Sequence, residues 1–182
     1  MKVAVACEDH TLDQYALRPI VQAALAACGR RNAHVHIITD PRIQGYEALR
    51  RHACGILQRY SRIADRVLFV IDGDGDANRA ASFWDLLATC DSAQQQACVV
   101  AAAQEVEVWL LWGQRSALGV PWAEVRTEPH PKERFFEPLL TDNDRRRPDG
   151  GRTRLAKASL AAGWSSLAAG CPELGALVED LR

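Results

Sequence analysis

Val67-Leu68-Phe69-Val70-Ile71-Asp72-Gly73-Asp74-Gly75-Asp76 decides the fold of this chain. Five consecutive apolar residues, mostly β-branched or aromatic, stop abruptly at an aspartate. Unbroken rather than alternating hydrophobicity describes a strand covered on both faces, the environment of a parallel sheet flanked by helices.

The segments on either side fit that reading. Lys2 to Cys7 is a second apolar run, ended by Glu8-Asp9-His10, and His34 to Thr39 is a further strand candidate, closed by Asp40-Pro41 because the residue before proline disfavours helix. Between these two segments, Leu12, Tyr15, Ala16, Ile20, Ala23, Ala24 and Ala27 recur at helical spacing. Thr11 and Gln14 have the form of a capping box there, and Pro19 is expected to kink or restart the helix. Tyr46 to Ala64 and Ala80 to Thr89 are predicted helices, and Ala97 to Ala102 a fourth strand. Strand and helix alternating in this way predict an α/β domain: a Rossmann-like, mainly parallel sheet flanked by helices, over residues 1–113. Residues 114–182 are expected to be a C-terminal extension packed on it, mostly loop and short helices, with helices at Thr153–Ala162 and Pro172–Leu181 and a polar loop over Thr141–Gly151.

Composition bounds the function. The 182 residues are 48% hydrophobic and 25% charged with a formal net charge of -1, enough to bury a core and without the global basic excess of many nucleic-acid binders. No apolar run approaches the roughly 20 residues that span a bilayer, and the N-terminus turns acidic too early for a secretory signal, so a cytoplasmic protein is expected. The six cysteines lie far apart without a CxxC pair, which reads as buried reduced thiols rather than disulfides or zinc.

Chemistry should gather outside the carboxyl ends of the strands. Glu8 follows the first strand, Asp72, Asp74 and Asp76 the third, and Glu105 and Glu107 the fourth. Acids crowded at one sheet edge repel unless a cation neutralises them, and oxygen ligands suit magnesium or manganese better than zinc. Gly73 and Gly75 would let two aspartates face one ion. An EF-hand loop starting at Asp72 is excluded by Ala77 and Phe83, a dinucleotide fingerprint by Asn78, and no GxxxxGK occurs. A haloacid-dehalogenase arrangement lacks its later lysine and aspartates, for which Lys132, Asp142 and Asp144 are poor substitutes.

Three segments together, Val5-Ala6-Cys7-Glu8, Val70-Ile71-Asp72-Gly73-Asp74 and Glu107-Val108-Trp109-Leu110-Leu111, resemble a Toprim domain over the first two thirds of the chain. The resemblance is closest to the compact RloB-like and OLD-nuclease-like members, and His130-Pro131-Lys132 and Cys171-Pro172-Glu173-Leu174 are similar to the tails of small stand-alone ones. It implies catalytic roles for Glu8, Asp72, Asp74 and Glu107 with Mg²⁺ or Mn²⁺ in phosphodiester hydrolysis. Glu8, Asp72 and Asp74 would hold the metal, and Asp76 is a candidate for a second one. It also implies a setting in prokaryotic defence beside an ATPase partner. Where the family has a small residue after its glutamate, this chain has Asp9 and His10, which would alter the metal geometry or add an acid/base group. A topoisomerase would need a tyrosine nucleophile, and Tyr15, Tyr46 and Tyr60 all fall at core-like helical positions.

Lys132, Arg152 and Arg154 are the expected phosphate contacts, the two arginines lying in the only concentrated basic stretch. His34 and His36 lack a third metal ligand, and His10 is a minor candidate for proton transfer. Trp84, Trp109, Trp112, Trp122 and Trp164 are expected to anchor the core and its seams. The function expected is metal-dependent cleavage of nucleic acid, possible as a homodimer. The alternatives are a catalytically silent Toprim-like module binding nucleic acid, nucleotide or an ATPase, and a small-molecule phosphohydrolase.

Overall fold

The computed structural model describes residues 1–90 and 94–182. Strands β1 (Lys2–Cys7), β2 (His34–Ile37), β3 (Arg66–Ile71) and β4 (Ala97–Ala101) form one all-parallel sheet in the order β2-β1-β3-β4. The α/β architecture expected from the sequence is the one observed.

Strand alternation explains the unbroken apolar runs. Val3, Val5, Cys7, Leu68, Val70, Cys98 and Val100 point to one face, while Ala4, Ala6, Val67, Phe69, Ile71 and Val99 point to the other. On the second face lie α2 (Tyr46–Tyr60) and α3 (Arg79–Ala88), packed through Leu49, Ile56, Phe83 and Leu87.

The first face carries α1 (His10–Ala27) and the C-terminal half of the chain: α4 (Glu107–Leu111), α5 (Trp122–Thr127), α6 (Asp142–Arg146), α7 (Arg152–Ala161), α8 (Trp164–Gly170) and α9 (Pro172–Asp180). Leu17 and Ile20 from α1 share one core cluster with Leu155, Leu167, Leu174 and Leu177. Residues beyond 113 therefore complete the sheet's own core. At the crossing, Ser159 Oγ donates to the Leu110 carbonyl at 2.8 Å and accepts the Gly113 N–H at 3.0 Å. A Cβ on Gly113 would stand 2.4 Å from backbone atoms of α7, so only glycine permits this approach.

Several local expectations change. Helix α1 begins at His10 with Asp9, not Thr11, as its cap: Asp9 Oδ1 accepts the Thr11 N–H at 2.8 Å. It runs through Pro19 as one helix, its buried face packed on the sheet. The supposed loop over 141–151 contains α6, because Thr141 and Asp144 satisfy each other's backbone N–H groups in a capping box. Cys54 and Cys90 are disulfide-bonded, correcting the all-thiol reading; α2 and the end of α3 lie side by side and bring their Cα atoms within 5.3 Å. Cys7, Cys28, Cys98 and Cys171 are thiols, and burial pushes Cys98 and Cys171 up to about 12.

Trp109 is fully buried and donates to Glu173 Oε1 at 2.9 Å, while Trp122 donates to the Gly170 carbonyl at 2.7 Å and meets Trp112 edge-on. Trp84 departs from the anchoring role and is exposed. No helix among the described residues is long and apolar enough to cross a membrane.

Candidate active site

The carboxyl ends of β1, β3 and β4 are tied together by side chains. Glu8, immediately past β1, accepts the Asp72 N–H on Oε1 at 2.9 Å. Asp72, immediately past β3, accepts the Val106 N–H on Oδ1 at 2.9 Å. Gly73 and Asp74 both donate to the Gln104 carbonyl, at 2.7 and 3.1 Å. Glu105 Oε2 accepts the Lys132 N–H at 3.1 Å, which folds the C-terminal segment back over this edge.

Beneath Glu8 and Asp72 lies a second layer of charge. Asp13 projects from the first turn of α1 into the interior and is 7% exposed. Glu107 and Arg152 form a buried ion pair, with the guanidinium over the ring of Phe136. Burial raises Asp13 to about 7, helped by Glu107 and opposed by Arg152. Burial raises Asp72 to about 9, and the charges of Glu8, Asp13 and Glu107 add to it against the Val106 hydrogen bond. Glu8 is also raised by burial, with the Asp72 N–H and Arg79 pulling the other way. The outcome is a partly dry acidic corner that favours retained protons.

The full expected constellation does not assemble. Asp74 takes a left-handed φ of 48° and turns to Arg79, Nη2 to Oδ2 at 2.7 Å, while Arg79 stacks on Tyr46. Asp76 is exposed and its Oδ1 accepts the Asn78 N–H at 2.8 Å, closing its own turn. The glycines thus do not aim two aspartates at one point. Among the described residues, no group of three or more His, Cys, Asp or Glu side chains stands where it would hold a metal ion. The four-residue metal set of Glu8, Asp72, Asp74 and Asp76 is therefore not assembled: Asp74 and Asp76 are engaged elsewhere, and only Glu8 and Asp72 are brought together at these strand ends. Such a pair still fits magnesium by donor chemistry, since that ion keeps much of its water and is commonly held by one or two carboxylates plus substrate phosphate.

The basic residues also redistribute. Arg152, 4% exposed, is committed to Glu107 rather than to solvent. Arg154 is held by Asp144, Nη2 to Oδ2 at 2.6 Å, and by the Leu139 carbonyl. Neither is the open phosphate contact expected from its sequence position. Lys132 does stand near the acidic edge through its backbone bond to Glu105. His10 opens α1, its Nδ1 buried without a hydrogen-bond partner among the described residues. His36 stacks on Tyr60, away from these strand ends.

Two contributors escaped the sequence reading. Asp13 had a signal: an acid at the helical positions shared by Ala16, Leu17 and Ile20 is an acid on the buried face. Arg79 had none, because its meeting with Asp74 depends on the turn between them. Compared with protein families, curated proteins and solved structures, the chain matches none.

Proposed function

We propose that this chain is a divalent-metal-dependent phosphodiester hydrolase acting on nucleic acid through a Toprim-like site centred on Glu8 and Asp72. The observation that carries the reading is the meeting of these two residues, 64 positions apart, at the carboxyl end of the sheet, with burial raising both and the charge of Glu8 adding to that on Asp72. A dication is the ligand that relieves such repulsion. Glu8 and Asp72 would hold Mg²⁺ or Mn²⁺, which would supply acidification of a water and neutralisation of phosphoryl charge. Asp13, raised to about 7, is suited to hold or release a proton in the neutral range behind that pair. Glu107 acts through Arg152 as a positioning residue rather than as a ligand.

The Toprim resemblance extends the proposal to prokaryotic defence and an ATPase partner, and a sheet edge would be the surface for a homodimer. A cytoplasmic setting goes with it, and there the Cys54–Cys90 bridge would be exposed to reduction.

Cleavage of DNA and RNA with Mg²⁺ or Mn²⁺ tests the reading. Glu8→Gln and Asp72→Asn should each lower the rate by about 100-fold or more; unchanged cleavage in both variants would refute it. The Asp74–Arg79 pair favours a second reading, a silent nucleic-acid-binding module, because it withdraws one expected ligand. That reading gives no Mn²⁺ heat in calorimetry while nucleic-acid binding persists.

A further inference from the structure

We infer that the cleft between the first turn of α1 and the segment from Lys132 to Arg152 is a phosphate-binding site. Its volume is about 370 Å³, and its walls include Lys132, Arg145, Arg147 and Arg152, with Phe136 and Glu137. Four basic residues thus line a space large enough for a phosphate group, one of them, Arg152, already paired with Glu107 behind the wall.

Arg152 supplies the observation that points to a ligand. Its Nη2 is spent on Glu107, yet its buried Nε has no hydrogen-bond partner among the described residues. A buried donor left without an acceptor is uncommon and costs free energy until an acceptor reaches it. Gly150, on the cleft wall, lies against this guanidinium: its φ is +52°, and a Cβ there would stand 3.2 Å from Arg152 Nη1.

The outer wall is exposed and only partly engaged. Arg145 gives Nη2 to the Glu137 carbonyl at 2.7 Å, and Arg147 Nε lies 3.3 Å from Asp149 Oδ1. Each guanidinium keeps further donors in its planar fork, the geometry that pairs with phosphate oxygens. A phosphate can accept from several directions at once, whereas a carboxylate presents one plane of acceptors. The cleft therefore suits a phosphate group better than an acidic side chain. Choosing a nucleic-acid backbone as the source of that phosphate rests on the proposed function; the site itself requires no hydrolysis.

The test is fluorescence anisotropy of a labelled single-stranded oligonucleotide with the full chain in EDTA, where cleavage is suppressed. Inorganic phosphate and a nucleoside monophosphate serve as competitors. Arg145→Ala with Arg147→Ala, and separately Lys132→Gln, should weaken binding by about tenfold or more. The equal-charge control Arg31→Ala with Arg51→Ala, both exposed residues outside the cleft, should change it less than about twofold. Unchanged thermal melting of each variant separates lost contacts from lost fold. Binding of inorganic phosphate and the nucleoside monophosphate in calorimetry without binding of the oligonucleotide, lost in the cleft variants, supports the site and rejects the nucleic-acid source. Absence of binding to all three probes, or an equal loss in the control, overturns the site. Retained binding in a protein that cleaves nothing supports the site while the hydrolase reading fails.

Discussion

Glu8 Oε1 accepts the backbone N–H of Asp72 at 2.9 Å, just beyond the last β1–β3 register pair, Cys7 with Val70. The contact fastens two strand ends and fixes where the Asp72 carboxyl begins, so its structural and chemical contributions must be separated. Glu8→Ala leaves a partly buried N–H without an acceptor and should cost about 1–3 kcal/mol in urea denaturation. Glu8→Gln keeps an acceptor oxygen and should cost under about 1 kcal/mol. Both should lose Mn²⁺ binding by calorimetry. Full metal affinity in Glu8→Gln would leave the contact with a structural role alone.

The Glu107–Arg152 pair joins α4 to α7 across 45 positions, with both side chains buried. Removing one partner strands the other charge, so Arg152→Ala should cost about 3–5 kcal/mol. Glu107→Gln with Arg152→Met removes both charges and restores apolar volume, and should be more stable than Arg152→Ala alone. Denaturation midpoints of the variants give the ordering. A double variant no more stable than the single one would mean that packing, not stranded charge, sets the cost.

Protons held by the acidic corner make stability fall as pH rises. Asp72 is raised to about 9 and Asp13 to about 7, whereas both titrate near 3.8 when unfolded. Between those values the folded chain binds more protons than the unfolded chain, and deprotonation favours unfolding. Their contribution is complete below 3.8 and is lost as pH passes through about 7 and then about 9. Asp144, held low by Arg154, has the opposite sign but acts at pH below 3.8. Urea midpoints from mildly acidic to mildly alkaline pH should decline, and Asp13→Asn should flatten the part of the decline that lies between 3.8 and about 7. An unchanged slope in Asp13→Asn would remove Asp13 from the coupled group.

Strands β1, β3 and β4 were legible because they are covered on both faces, so burial left its mark at every residue of Val67 to Ile71. Convergence of Glu8 and Asp72 followed from topology, since adjacent parallel strands end at the same edge. What was hidden depends on turns and distant pairing. The backbone at Asp74 decides that its carboxylate meets Arg79 instead of Asp72, and no residue type announces that. Thr141 to Gly151 resembled loop because capping residues are polar whether or not a short helix follows. Arg152 resembled a surface cation because Glu107 is its neighbour in space alone.

Gly73 offers a test of how tightly the two strand exits are packed. Its N–H donates to Gln104 at 2.7 Å, and a Cβ would stand 2.1 Å from the Ala102 carbonyl oxygen and 2.9 Å from that of Ala103. Those oxygens belong to backbone that is itself pinned, since the Ala102 N–H donates to Ile71 at 2.9 Å. Gly75 differs: its φ is +74°, but an added Cβ meets first the flexible Gln104 amide, at 3.3 Å. Gly75→Ala should therefore cost about 1–2 kcal/mol, from the left-handed backbone alone. Gly73→Ala must push two strand exits apart and should cost about 3 kcal/mol. It should also displace Asp72, so Mn²⁺ affinity falls with stability, whereas Gly75→Ala should retain the metal. Urea denaturation and calorimetry on the two variants decide it, and the reverse order of cost would mean that the exits of β3 and β4 are not packed in this way.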